Sequence, residues 1–146
     1  MSNISEYMTQ DHRDCDHQYA DMEKAVIAGD FPQAQKQWEK FNQMMERHLG
    51  MEEQLLFPEF EGATGNTMGP TQMMRMEHHQ MREMIALIHD GIAAGDKDKV
   101  FGYLETLMIL LQQHNMKEEQ ILYPMMQNAL GSDDEAVMDR LKEFST

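Results

Sequence analysis

The chain is a duplication. Shifted by 66 residues, its first half lies on its second without a gap: His12 falls on His78, Ala20 on Ala86 and Gly29-Asp30 on Gly95-Asp96. Glu39 falls on Glu105, His48 on His114, Glu52-Glu53-Gln54 on Glu118-Glu119-Gln120, Leu56 on Leu122, Pro58 on Pro124 and Gly65 on Gly131. Two units are too few for a solenoid, in which each repeat is covered by a neighbour on either side, so the two copies are expected to pack on each other.

Each half reads as two helices. The first carries a stripe at Met8, His12, Cys15, Tyr19, Met22 and Val26, and the second at Ala34, Trp38, Phe41, Met45, His48, Glu52 and Leu55. The third has Met74, His78, Met81, Ile85, Ile88 and Ile92, and the fourth Val100, Leu104, Leu107, Leu111, His114, Glu118 and Ile121. Alternating steps of three and four mark the buried face of a bundle helix. Gly29 and Gly95 can end helices in the left-handed conformation, and Asp30 and Asp96 can cap the next ones. Pro58 and Pro124 each remove a helix hydrogen bond, so the second and fourth helices should kink or stop there. Ser132-Asp-Asp-Glu135 has the spacing of a capping box. The expected fold is an all-α, up-down-up-down four-helix bundle. Its two hairpins span residues 3–60 and 71–128, a short C-terminal helix spans 132–144, and residues 1–146 form a single domain.

Composition narrows the function. With 26 acidic against 12 basic residues and a net charge of −14, the chain is a poor match for nucleic acid. No apolar run approaches the ~20 residues of a membrane span, and MSNISEYMTQDHRDCD lacks the apolar stretch of a secretory leader. The single cysteine, Cys15, cannot form an internal disulfide, so a cytoplasmic setting is expected. The 17 methionines fall partly on the stripes, where they fill a core adaptably.

Six stripe residues do not belong in an apolar core: His12, His48, Glu52, His78, His114 and Glu118. His12 lies ~17 residues before the first hairpin turn and His48 ~18 after it, which puts them at one height. The second hairpin repeats this with His78 and His114. Each glutamate follows its histidine by four positions, on the same face and about 6 Å along. Buried carboxylates beside imidazoles are strongly unfavourable unless something compensates them, and a metal site does so. Imidazole and carboxylate without paired thiols suit iron, manganese, zinc or copper rather than calcium. With both glutamates bridging, the six side chains supply about eight bonds to two ions. An oxo or hydroxo bridge adds about two, leaving about two positions for water or an outside ligand. Two iron ions in an open, non-haem di-iron centre are the expected cofactor. A ferritin-like site would show Glu-x-x-His and more carboxylates.

The segments His48-x3-Glu52-Glu53-Gln-Leu-Leu-Phe-Pro58 and His114-x3-Glu118-Glu119-Gln-Ile-Leu-Tyr-Pro124, together with Asp11-His12 and Glu77-His78, resemble the hemerythrin-like, HHE cation-binding domain over about residues 8 to 128. The resemblance implies a di-iron centre that binds dioxygen or nitric oxide. Oxygen-carrying hemerythrins have a fifth histidine four residues after the first on the third helix, where this chain has Arg82. It is more similar to the four-His, two-Glu members, which include proteins of nitric oxide stress, iron–sulfur cluster repair and iron sensing. A diatomic binder or sensor is the first expectation. A di-iron enzyme or iron donor in oxidative or nitrosative stress is the alternative.

Other residues carry weaker expectations. Cys15 reads as a small buried hydrophobe. Asp16 and Arg82, equivalent in the repeat, are expected to form a salt bridge at the core edge. His17 reads as a surface residue, His79 as a less suitable ligand than its neighbour, and His89 as too far along the helix to reach the same ions. Glu53 and Glu119 point about 100° from Glu52 and Glu118 and read as outer partners of the ligands. In the resembled family the acid can also follow the histidine by five, which keeps Glu119 open as a bridge.

Overall fold

The computed structural model describes residues 3–145, all of them helical or in short links. Helix α1 spans Ile4–Ile27 and α2 spans Phe31–Met51; a π-helical turn, Glu52–Leu56, carries the latter into α3, Phe57–Thr64. The second half repeats this with α4 (Pro70–Ala94), α5 (Lys97–Lys117), a π turn at Glu118–Leu122 and α6 (Tyr123–Ala129). A 3-10 turn, Gly131–Asp133, leads into α7, Asp134–Glu143. Four rods result: α1, α2 with α3, α4, and α5 with α6. Each packs on the next, and α1 closes the square against α5 and α6.

Both hairpin turns form as expected. Gly29 and Gly95 have φ of 72° and 67°, the left-handed region that suits glycine. Asp30 Oδ1 accepts from the Gln33 amide at 3.1 Å, and Asp96 Oδ1 from the Lys99 amide at 3.2 Å.

The prolines do not stop their helices. The Phe57 and Tyr123 amides donate five residues back, to the carbonyls of Glu52 and Glu118. This wider turn takes up one extra residue ahead of each proline, so the chain runs past the missing N–H without a break. The buried stripe therefore advances by one position. After Glu118 the core receives Leu122, Tyr123 and Met126, while Ile121, which the regular spacing places on the stripe, is 56 % exposed. The other stripe positions are buried. The capping box does not form either. The 3-10 turn occupies Ser132, and α7 begins one residue after Asp133 with no side-chain cap.

The core is divided. One apolar cluster, centred on Tyr19, Trp38, Phe41, Ile88 and Leu107, fills the hairpin-turn half of the bundle. A second, with Ile4, Met8, Phe57, Tyr123 and Met126, fills the other end, where Val137, Met138 and Leu141 of α7 cover it. Between the two lies a slab of buried polar side chains: His12, His48, Glu52, His78, His114 and Glu118, each at most 2 % exposed.

Candidate metal centre

The four rods deliver these six side chains to one point. Glu52, His78, His114 and Glu118 form one group, and His12, His48 and Glu118 a second; in each, one ligand atom per residue lies within 4.8 Å of the others. Glu118 belongs to both. Its Oε1 is 3.1 Å from His12 Nε2 and 3.1 Å from His114 Nε2. Glu52 Oε1 is 3.0 Å from His78 Nε2 and 3.7 Å from His48 Nε2. Closeness here is not satisfaction: Glu52 Oε1, Glu118 Oε2, His78 Nε2 and His114 Nε2 are buried without a hydrogen-bond partner. Orphaned buried polar atoms of this kind are rare in native proteins. Four unpaired imidazole and carboxylate atoms facing one another are what a bound cation would satisfy, so the residues fit a metal.

Each imidazole is held from behind. His12 Nδ1 meets Glu119 Oε2 at 2.7 Å, His48 Nδ1 meets Asp11 Oδ2 at 2.7 Å, His78 Nδ1 meets Glu53 Oε2 at 2.8 Å, and His114 Nδ1 meets Glu77 Oε1 at 2.8 Å. With the proton on Nδ1 shared toward the carboxylate, each Nε2 turns its lone pair inward, the usual outer support of a metal-bound histidine. Every link joins neighbouring rods: α1 to the α5–α6 rod, that rod to α4, α4 to the α2–α3 rod, and that rod back to α1. The four bonds form a closed belt around the bundle.

The carboxylates are themselves braced by cations, and here the repeat breaks down. Arg13 Nη2 lies 2.9 Å from Glu119, Arg82 Nη1 2.7 Å from Glu53, and Arg47 Nη1 3.9 Å from Asp11, while Lys117 pairs with Glu77. Arg13 follows its ligand by one residue and Arg82 by four, so equivalent carboxylates are reached from different positions. Arg82 consequently does not pair with Asp16. Its guanidinium is taken by Glu53 and by Glu46, at 3.2 Å. Arg47 also donates to the Leu141 and Phe144 carbonyls at 3.0 and 3.1 Å, tying the end of α7 to the same belt.

Electrostatics separate the two central acids. Burial and the charge of Glu118 push Glu52 up. Burial also opposes ionisation of Glu118, but His114, and contacts with Glu52 and His12, outweigh it and hold Glu118 low. Burial pulls His78 down, yet the adjoining Glu52 and Glu53 carry it up to about 9. His48 and His114 move the same way, with burial overcome by the carboxylates around them. Glu53 is held at about 2: burial would raise it, and the bonds from His78 and Arg82 prevail.

Tyr123 is the member that the sequence reading missed. Its hydroxyl donates to Glu52 Oε2 at 2.7 Å, and its oxygen lies 3.1 Å from Glu118 Oε1, 3.1 Å from His12 Nε2 and 3.4 Å from His48 Nε2. The repeat-equivalent Phe57 stacks on His78 with ring centroids 5.6 Å apart. The Tyr-for-Phe difference between the two motifs is visible in the sequence. That it falls on the core face becomes clear only once the π turn has shifted the stripe.

A small cavity of about 10 Å³ adjoins His12, His48 and His114, walled by Cys15, Met45, Met81 and Leu111, close to the minimum that holds one water-sized molecule. Cys15 is free, and burial, with Asp11 and Asp16 nearby, drives its thiol pKa up, away from the reactive thiolate. The other histidines stand apart from the cluster. His17 is exposed, His79 faces Glu83 at 3.1 Å, and His89 accepts from Trp38 Nε1 at 3.3 Å. Glu119 faces His12 Nδ1 rather than the centre, which Glu118 occupies.

A helical bundle that gathers imidazoles and glutamates at its middle, each imidazole oriented by an outer carboxylate, defines a metal-binding bundle protein. The chain matches the hemerythrin HHE cation binding domain over residues 3–144 and belongs to that family. It is 28 % identical to an uncharacterized hemerythrin-like protein of Schizosaccharomyces pombe, over 99 % of this chain and 71 % of that protein. No solved structure matches it. Among the described residues, no helix is long and apolar enough to cross a membrane.

Proposed function

We propose that the cluster holds two iron ions, with His12, His48, His78 and His114 as terminal ligands and Glu52 and Glu118 as bridges, and that the centre binds or senses dioxygen or nitric oxide. The observation that carries this reading is Glu118, shared by both ligand groups while one of its buried oxygens has no partner. A pair of ferrous ions would supply electron density to a diatomic ligand. The residues around it orient and confine: the belt carboxylates fix each imidazole, and Cys15, Met45, Met81 and Leu111, with Asp16 and Asn115, keep the adjoining cavity small. A space this small excludes ligands much larger than a diatomic. The one cysteine, free and buried, supports a reducing cytoplasm as its setting.

Adding dioxygen or nitric oxide to the anaerobic ferrous protein is expected to produce new visible charge-transfer bands that reverse on removing the gas. An unchanged spectrum would refute the reading, and sustained consumption of an added reductant would make the protein an enzyme instead.

The outer carboxylates can be tested separately. Glu119→Ala removes the support of His12 and leaves Arg13 half exposed, where it needs no partner. Loss of such a partner costs about 10–100-fold in metal affinity. Chelator competition should therefore show one of the two ions weakened by that factor and the other nearly unchanged. Equal weakening of both would mean that the belt does not act ligand by ligand.

A further inference from the structure

The two halves of the centre are unequal in donors. Glu52 and Glu118 both join the group formed with His78 and His114, whereas Glu118 alone joins the group formed with His12 and His48; Glu52 Oε1 lies 3.0 Å from His78 Nε2 but 3.7 Å from His48 Nε2, so a Glu52 bridge leans toward the first half. The missing donor has a candidate. The Tyr123 hydroxyl lies 3.1 and 3.4 Å from His12 and His48 Nε2, 3.1 Å from Glu118 Oε1 and 2.7 Å from Glu52 Oε2. Neighbouring ligands on a six-coordinate ion with bonds of about 2.1 Å sit about 3.0 Å apart, the bond length multiplied by √2. Tyr123 thus keeps ligand-to-ligand spacing from both imidazoles and from the bridging acid.

Building on the di-iron reading above, we propose that Tyr123 is a seventh protein ligand, binding through its phenolic oxygen to the ion held by His12 and His48. The phenol loses its proton to solvent and its oxygen donates an electron pair to the cation; nothing is oxidised or reduced in this step. Charge supports it. Two glutamates leave two ferric ions strongly positive, and a phenolate adds a negative charge on the half from which Glu52 stands farther. Symmetry supports it as well. Phe57 occupies the equivalent place in the other half, where Glu52 and Glu118 already serve, and it only stacks on His78. The duplicated bundle therefore builds two different ion positions, one of them phenolate-bound.

The test is the ferric protein, with iron content measured on the same sample. The expected result is two irons per chain, a visible phenolate-to-iron(III) charge-transfer band, and resonance-enhanced phenolate ring modes that shift when tyrosine is supplied ring-deuterated. Of Tyr7, Tyr19, Tyr103 and Tyr123, only the last has its hydroxyl within hydrogen-bond reach of the His/Glu cluster. Tyr123→Phe should abolish band and modes while retaining helicity and at least one iron. Phenylalanine at the equivalent Phe57 shows that the ring alone can be packed there. If that variant does not fold, the deuterium shift in the unaltered protein decides. Two irons without phenolate modes would overturn the ligand assignment, reduce Tyr123 to a hydrogen-bond donor to Glu52, and leave the di-iron reading standing. Fewer than two irons in the unaltered protein would overturn both.

Discussion

The double variant Glu52→Ala, Glu118→Ala is expected to fold and to take up no iron. These are the two protein carboxylates with atoms at the centre that lack partners, and without them four imidazoles remain, none able to span two ions. Folding should survive because the apolar clusters on either side of the slab are untouched and each imidazole keeps its outer carboxylate. The single variants should rank. Glu118→Ala should lose both ions because Glu118 serves both groups, whereas Glu52→Ala should weaken both, the one on the His78 and His114 side more because Glu52 stands nearer to it. Metal analysis after dialysis, with circular dichroism as the folding control, reads the outcome. Two irons retained by the double variant would refute the bridges.

Stripping the metal should lower the melting temperature by roughly 10 °C. A ligand present at about 1,000 times its dissociation constant stabilises by about 4 kcal/mol, and each kcal/mol shifts a domain of this size by about 2–4 °C. The difference should depend on pH in a stated direction. In the metal-free protein, His78 titrates at about 9, raised from its ordinary value by the adjoining carboxylates against the effect of burial. A raised histidine contributes stability that is complete below about 6.5 and is lost as pH climbs through about 9. Metal binding needs the same imidazole deprotonated, so affinity rises over that window. The gap between loaded and chelated melting temperatures should therefore widen from pH 6.5 to pH 9. A constant or narrowing gap would show that His78 is not displaced from its proton by the ion.

Much of this arrangement is legible in the sequence, and the reason is the duplication. A repeat without gaps places His12 with His78 and Glu52 with Glu118 before any geometry is known, and stripes in steps of three and four carry those residues into the core. What escapes lies where the repeat or the period fails. The π turns break the helical period, so Ile121 is assigned to the core although it faces solvent, and Tyr123 goes unnoticed although its hydroxyl touches four ligand-type side chains. The cations break the repeat, so the equivalence of Asp16 and Arg82 suggests a pair, while Arg82 is held by Glu46 and Glu53. At Ser132 a local motif loses to the 3-10 turn.

The closed belt of histidine–carboxylate bonds has a mechanical meaning. It works like the hoop of a barrel, with four staves and one joint at each seam. A stave in a hooped barrel cannot turn alone, since rolling α1 would strain both its bond to Glu119 on one side and the bond from His48 to Asp11 on the other. Any movement that tightens or relaxes one ligand must be shared around the whole circumference, and Arg47 hands it on to α7, the lid at the end of the barrel.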